Sequence, residues 1–116
     1  MVEYRLDLPP STNAIWRAVK GRVIKSRRYR AWLELGASQI ASQGLVEVVG
    51  RVGVWVDIHP PNKRAMDLDN RCKGLGDLLQ SAGVIQDDSH IDVLHVCRRE
   101  IIKGGLAVVR VAELES

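Results

Sequence analysis

Residues 51–59, RVGVWVDIH, place Val52, Val54, Val56 and Ile58 at every second position. Successive side chains of a strand point to opposite faces, so this spacing sends four β-branched residues to one side. The pattern predicts a β-strand with one packed face, and such a face needs further strands beside it and a covering layer. The same period runs through Val2, Tyr4, Leu6 and Leu8, which alternate with Glu3, Arg5 and Asp7. Residues 91–99 and 105–112 read as two more strands, and the KGG between them is a hairpin signal.

The covering layer is also readable. Ser26 is a candidate N-cap for a helix over 27–43 whose buried side carries Tyr29, Trp32, Leu33, Gly36, Ala37 and Ile40, with Gly44 ending it. Leu68, Cys72, Leu75, Leu79 and Ala82 predict a second helix over 68–82, with Gly83 as its C′ residue. PPSTN at 9–13 stops the first strand. Residues 14–25 read as a loop, with a short strand near Arg22–Lys25. The expected order is β, (β), α, β, α, β, β. It gives an α/β (α+β) single domain over 1–116, a small mixed sheet with two main helices packed on it.

Hydrophobic residues make up 46% of the 116, but only five are aromatic, so Val, Leu, Ile and Ala must build the core. A core this small is limited, and a dimer would extend it. The N-terminus begins as a strand rather than a signal peptide, and no apolar run is long enough to span a bilayer. A cytoplasmic protein without membrane association is expected. Cys72 and Cys97, 25 residues apart, form no metal pattern and are expected as reduced core thiols.

The net charge is +3, unevenly placed. Residues 17–30, RAVKGRVIKSRRYR, hold Arg17, Lys20, Arg22, Lys25, Arg27, Arg28 and Arg30 and no acid. They are either a solvated loop and helix start or a phosphate-binding arm interleaved with Trp16, Tyr29 and Trp32. Residues 63–90 gather Asp67, Asp69, Asp77, Asp87 and Asp88, more than a third of the fourteen acids. Singly, each has an ordinary explanation. Asp67 precedes a helix and can cap it. Asp69 and Lys73, and then Lys73 and Asp77, stand at the i,i+4 spacing of surface ion pairs. QDDSH suits a polar turn.

Together the acids suggest more. Two like charges about 4 Å apart repel by roughly 4 kcal/mol at an effective dielectric near 20. A divalent cation removes that cost, and magnesium takes one or two carboxylates plus phosphate and water. Asp67, Asp69 and Asp88 could make such a site. Lys63 and Arg64 in the adjacent loop offer cations for phosphate oxygens, and Lys73 lies one turn beyond Asp69. Metal-assisted cleavage of a phosphodiester fits this combination. Other schemes lack support: there is no Walker-type loop, and His59, His90 and His95 do not stand at zinc spacing.

The chain resembles the RusA family of Holliday-junction resolvases over nearly its whole length. The resemblance rests on PPSTN, the Arg-rich segment, the Trp-containing helix, DLDN at 67–70, Lys73, Ala82-Gly83, Asp87-Asp88, and KGG before the last strand. It implies a homodimeric endonuclease dependent on Mg2+, with Mn2+ able to substitute, that nicks opposed strands of a four-way DNA junction symmetrically. It carries the essential acids onto Asp67, Asp69 and Asp88 and the essential lysine onto Lys73. DNA contacts are expected from Lys20, Arg22, Lys25, Arg27, Arg28, Arg30, Lys63 and Arg64. Arg71, Cys72 and Gly76 depart from the family pattern. Two alternatives stand beside this reading: a metal-dependent nuclease for other branched DNA, and a DNA-binding module without catalysis.

One geometric expectation concerns Asp88. A fifteen-residue helix is about 22 Å long. A site within one chain then requires GVIQD, residues 83–87, to run back nearly straight along it. Otherwise Asp88 must come from the second subunit of a dimer.

Overall fold

The computed structural model describes residues 1–11 and 16–115. The end of the PPSTN turn and residues 14–15 of the expected loop lie outside the described residues, as do the side chains of Trp16 and Arg17. Four strands form the main sheet: β1 (Val2–Leu6), β4 (Val52–His59), β5 (Ile91–Arg98) and β6 (Leu106–Glu113). Their spatial order is β1-β6-β4-β5. β4 runs antiparallel to β6 and parallel to β5, so the sheet is mixed.

This order corrects one expectation. β5 and β6 are not a hairpin, because β4 lies between them and pairs with both. The KGG turn is present, with Gly104 at φ 86° and Gly105 at φ 78°, but it belongs to a connection that steps over one strand. β4 takes the interior place because its alternating valines and Ile58 are the most apolar strand face the chain offers. Val52, Val54, Val56 and Ile58 are at most 1% exposed, and Ala107, Val109 and Val111 of β6 flank them at 0%.

The short strand expected near Arg22–Lys25 is present as β3 (Arg22–Lys25), but part of the expected loop before it is a strand too: β2 (Trp16–Val19) pairs with β3 in a separate two-stranded sheet. Lys20 and Gly21 make its two-residue turn, with φ values of 50° and 77°, and two positive φ angles in sequence mark the tight turn that matches strand twist.

α1 (Arg27–Gln43) follows at once. The Ser26 hydroxyl accepts the Tyr29 backbone N–H at 3.1 Å, as a cap should. Tyr29, Trp32, Gly36 and Ile40 are buried, and Leu33 and Ala37 pack beside them. The exposed edge of the sheet at β1 is covered by this helix. The Gln43 side chain accepts the Arg5 N–H at 2.8 Å and donates to the Arg5 carbonyl at 2.7 Å. It therefore stands in for a strand and blunts the edge.

The second helix is shorter than predicted. Asp69–Arg71 form a single 3-10 turn, and α2 proper is Lys73–Ser81. Leu75, Leu78 and Leu79 carry its buried face. Gly83, at φ 89°, is the residue after the C-cap, as expected. Both cysteines are free and partly buried, but neither belongs to the buried core. Cys72 borders a cleft, and Cys97 lies on the sheet beside His95, with Sγ 3.7 Å from Nδ1. They are reduced thiols, though not core ones.

Candidate active site

The shortened α2 changes how Asp88 is delivered. Nine residues span about 14 Å rather than 22 Å. After Gly83 the chain folds back at once, since the N–H groups of Val84 and Ile85 both donate to the Leu79 carbonyl, at 2.9 and 3.2 Å. Val84 and Ile85 are buried and pin this return to the core. The Asp88 N–H then donates to Gln80 Oε1 at 3.0 Å. No straight run along the helix is needed, because the residue facing Asp88 is Gly76, in the middle of α2. A Cβ on Gly76 would lie 3.8 Å from the Asp88 Cβ.

Asp69, Lys73 and Asp88 consequently border one cleft of about 720 Å3, and all three come from the same chain. Leu68, Leu94 and Val96 give it an apolar floor. β5 supplies two of these because Leu94 and Val96 pair with Val54 and Val56 and share the helix-covered face. Asp87 has a different position. Its carboxylate accepts the Ser89 N–H at 2.8 Å, capping the 3-10 turn Asp88–His90 that leads into β5. Those hydrogen bonds from Ser89 hold its pKa below the usual carboxylate range. It orients Asp88 rather than pointing into the cleft.

Asp67 stands apart from the other two acids. It does not border the cleft, and its carboxylate accepts from the Asn70 side chain at 3.3 Å. It does not cap α2 either, whose N-cap position, Cys72, carries no side-chain cap. Among the described residues no three His, Cys, Asp or Glu side chains converge as a ready metal cage. The donors at the cleft are nevertheless of the right chemistry for a hard divalent ion. Two carboxylates bordering one cleft, with the balance drawn from water and a substrate phosphate, is the set magnesium takes. Cys72 does not compete as a ligand: burial pushes its thiol pKa up, and the nearby Asp69 charge adds to this.

Lys73 is exposed at the first position of α2 and is not among the ion pairs of the described residues. The i,i+4 partner that the sequence offers, Asp77, is engaged elsewhere: the Tyr29 hydroxyl donates to its carboxylate. Burial, and then that carboxylate, drive the Tyr29 pKa far up, so the phenol stays protonated. This bond ties α1 to α2 and leaves the Lys73 ammonium available to an anion. Sequence reasoning missed it because Tyr29 and Asp77 are 48 residues apart.

The expected DNA-binding cations fall into two places. Lys20, Arg22 and Lys25 sit exposed on the β2–β3 hairpin, and Arg27, Arg28 and Arg30 sit exposed on the first turn of α1. The Lys25 Nζ lies 5.8 Å from the centre of the Tyr29 ring, within cation–π range. Lys63 and Arg64 are exposed in the loop before Asp67. Arg98 donates to the Met66 carbonyl and fastens the end of that loop to β5.

The family model described as Endodeoxyribonuclease RusA matches residues 7–111, a span that includes the whole cleft. The chain belongs to the RusA family. A crossover junction endodeoxyribonuclease of Enterobacteria phage HK97 is 34% identical to it, over 100% of this chain and 99% of that protein. The RusA protein of Escherichia coli strain K12, with the same description, is 28% identical over 94% of this chain and 92% of its own. That of Enterobacteria phage 82 is 30% identical over 94% and 92%. The RusA match reaches from Asp7, just after β1, to Val111 in β6, so it covers both helices, β4, β5 and most of β6 as well as the acidic motif.

Proposed function

We propose that this chain is a crossover junction endodeoxyribonuclease that resolves four-way DNA by paired, symmetric nicks, acting as a homodimer with Mg2+. The observation that carries this reading is that Asp69, Lys73 and Asp88 border one cleft in a chain of the RusA family. Asp69 and Asp88 are the proposed metal ligands, and Asp67, which lies off the cleft, would have to move to join them as the third acid. A magnesium ion bound there would supply Lewis-acid stabilisation of the phosphodiester oxygens and lower the pKa of an attacking water, and Mn2+ would serve in its place.

The chain's own groups do the rest. The Lys73 ammonium faces the charge that builds on the phosphoryl oxygens as the P–O bond breaks. The apolar side chains of Leu68 and Val96 lower the local dielectric and strengthen the electrostatic contacts beside them. Lys20, Arg22, Lys25, Arg27, Arg28, Arg30, Lys63 and Arg64 would contact backbone phosphates, which makes affinity high and salt-dependent without reading sequence. A two-fold dimer presents two such clefts to a junction, as two opposed cuts require. The outer edge of β5 is unpaired among the described residues, and Val93 and Leu94 are 40% and 55% exposed, so apolar surface is present for a partner subunit. A bacterial or phage-infected cytoplasm is where the substrate occurs.

Cleavage of a four-way junction, a flap and a linear duplex, each with and without Mg2+, tests the reading. Magnesium-dependent cutting of the junction in preference to the other two is expected. Preference for the flap would make it a nuclease of other branched DNA. Binding without cutting of any substrate would make it a DNA-binding module.

A further inference from the structure

A second recess, of about 240 Å3, shares no residue with the acidic cleft. Leu8, Pro10, Trp32 and Pro61 frame it with apolar surface, and the charged groups entering it are Arg28 of α1 and Arg71 of the 3-10 turn. No carboxylate borders it, and neither arginine is among the ion pairs of the described residues. Arg71 Nη1 donates to the Pro9 carbonyl at 2.8 Å, while its Nε is shielded from solvent and has no hydrogen-bond partner among the described residues.

Among the described residues, the protein's own groups do not satisfy this pair of cations. A guanidinium is always charged and has five donors to satisfy. Here burial lowers the Arg71 pKa, and the like charge of Arg28 lowers it further. A half-buried guanidinium with a shielded Nε and a like-charged neighbour is suited to an anion. The planar guanidinium fork matches the oxygens of a phosphate group in particular.

We propose that Arg28 and Arg71 together form a second phosphodiester site, which holds a DNA backbone phosphate other than the one being cut. The proposal rests on the endonuclease reading. Its position fits that role. Arg71 is two residues beyond Asp69 in the same turn, and at about 2.0 Å of rise per residue the two are roughly 4 Å apart along its axis. A strand whose scissile phosphate lies in the acidic cleft therefore has its neighbouring phosphates closest to the recess. Holding one of them fixes where along the strand the cut falls.

The test measures junction binding without divalent metal, so that nothing is cut, as a function of salt. Wild type is compared with Arg28→Ala, Arg71→Leu and the double variant. If the two arginines share one phosphate, each single change lowers the log–log salt slope by about 0.9, and the double change lowers it no further. Two separate contacts would lower it by about 1.8 in the double variant. Junctions carrying single neutral methylphosphonates then locate the contact. One position beside the nick should weaken binding by wild type and have no effect on Arg71→Leu.

An unchanged slope in both single variants overturns the proposal, as does a double variant that loses two contacts. So does protection from thermal unfolding by inorganic phosphate in wild type but not in Arg71→Leu, if DNA slopes stay the same; the recess would then serve a free anion. Arg71→Lys, which keeps the charge but not the fork, replaces Arg71→Leu should the latter fail to fold. A wild type that neither binds nor cuts junctions defeats the endonuclease reading and the recess with it. One that does both, with slopes unmoved by the variants, defeats the recess alone.

Discussion

Gly74 and Gly76 lie two residues apart in α2, and replacing each by alanine should move stability in opposite directions. Alanine in a helix is favoured over glycine by about 0.8–1 kcal/mol, because glycine loses more backbone freedom on folding. Space decides whether that gain survives. At Gly76 the new Cβ would meet the Asp88 Cβ at 3.8 Å and Ile91 Cδ1 at 4.0 Å, both ordinary contacts. At Gly74 it would lie 3.1 Å from Trp32 Cζ3 and 3.1 Å from Tyr29 Cε1. Those rings stack on each other with centroids 6.1 Å apart, and Tyr29 is also bonded to Asp77, so neither can yield freely. Overpacking of this kind costs about 1–3 kcal/mol. Gly76→Ala should therefore gain nearly the full propensity term, raising the melting temperature by about 3–6 °C. Gly74→Ala should lose up to about 2 kcal/mol net, which is the overpacking cost less the propensity gain. Urea titrations at a common temperature, with equal m-values required, measure both. If both substitutions shift the midpoint in the same direction, the contact geometry assigned to α2 against α1 is wrong.

Asp69→Asn and Asp88→Asn should each abolish junction cutting while leaving binding intact, and Asp67→Asn should also cut poorly; wild-type rates in all three would sink the metal-site proposal. Since Asp69 and Asp88 border the cleft of one chain, mixing the two inactive variants should not restore nicking, and recovered activity in the mixture would contradict this. Lys73→Ala should reduce the single-turnover rate severely but stability by no more than about 1 kcal/mol, the ceiling for an exposed ion pair it does not even form; an unchanged rate refutes its role. Burial pushes the Asp57 carboxyl up, but hydrogen bonds from Arg110 and Arg99 outweigh this and hold its pKa below the usual value. Its stabilisation is thus present above the unfolded carboxyl pKa of about 3.9 and is lost as pH falls through the lower folded value. Asp57→Asn should accordingly flatten the acid limb of the stability profile below about pH 4, and an unaltered limb in acid titrations of the variant would count against that pairing.

What could be read from the residues depended on how local the cause was. The period-two run of β4 and the Ser26 cap of α1 depend on neighbours within a few positions, and both were legible. The start of α2 was not, because Leu68 and Cys72 keep helical spacing through a 3-10 turn that a pattern cannot distinguish from α-helix. The hairpin reading of β5 and β6 failed for another reason. KGG reports a turn, but nothing in the turn says which strand lies between its arms. β3 was legible as a short strand near Arg22–Lys25, but its partner β2 was not, since Trp16–Val19 is only four residues long and carries no clear period-two run. At the site, spacing and the resemblance grouped Asp67, Asp69, Lys73 and Asp88; the structure places Asp69, Lys73 and Asp88 on one cleft and Asp67 off it, a separation that nothing in the DLDN spacing could reveal. Arg71 was passed over because its importance comes from Arg28 and Pro9, 43 and 62 positions away.

The sheet order also sets a timetable. Within the sheet β1 has β6 as its one partner, and the Arg110–Glu3 contact across that pair joins residues 107 apart in the chain. A ribosome emitting this protein must therefore release Val2–Leu6 long before the strand that will hold it exists. Closing so distant a pair is slow, because the entropy of the intervening loop is lost before any bond repays it. In the meantime β1 and the residue after it can rest on α1 and the turn that follows, through bonds of Trp32, Gln39 and Gln43 to Arg5 and Asp7 and of Tyr4 to Gly44 and Val46. These polar contacts, made by residues only 25 to 42 positions away, can form early. They give the nascent strand a temporary escort until Leu106–Glu113 arrives.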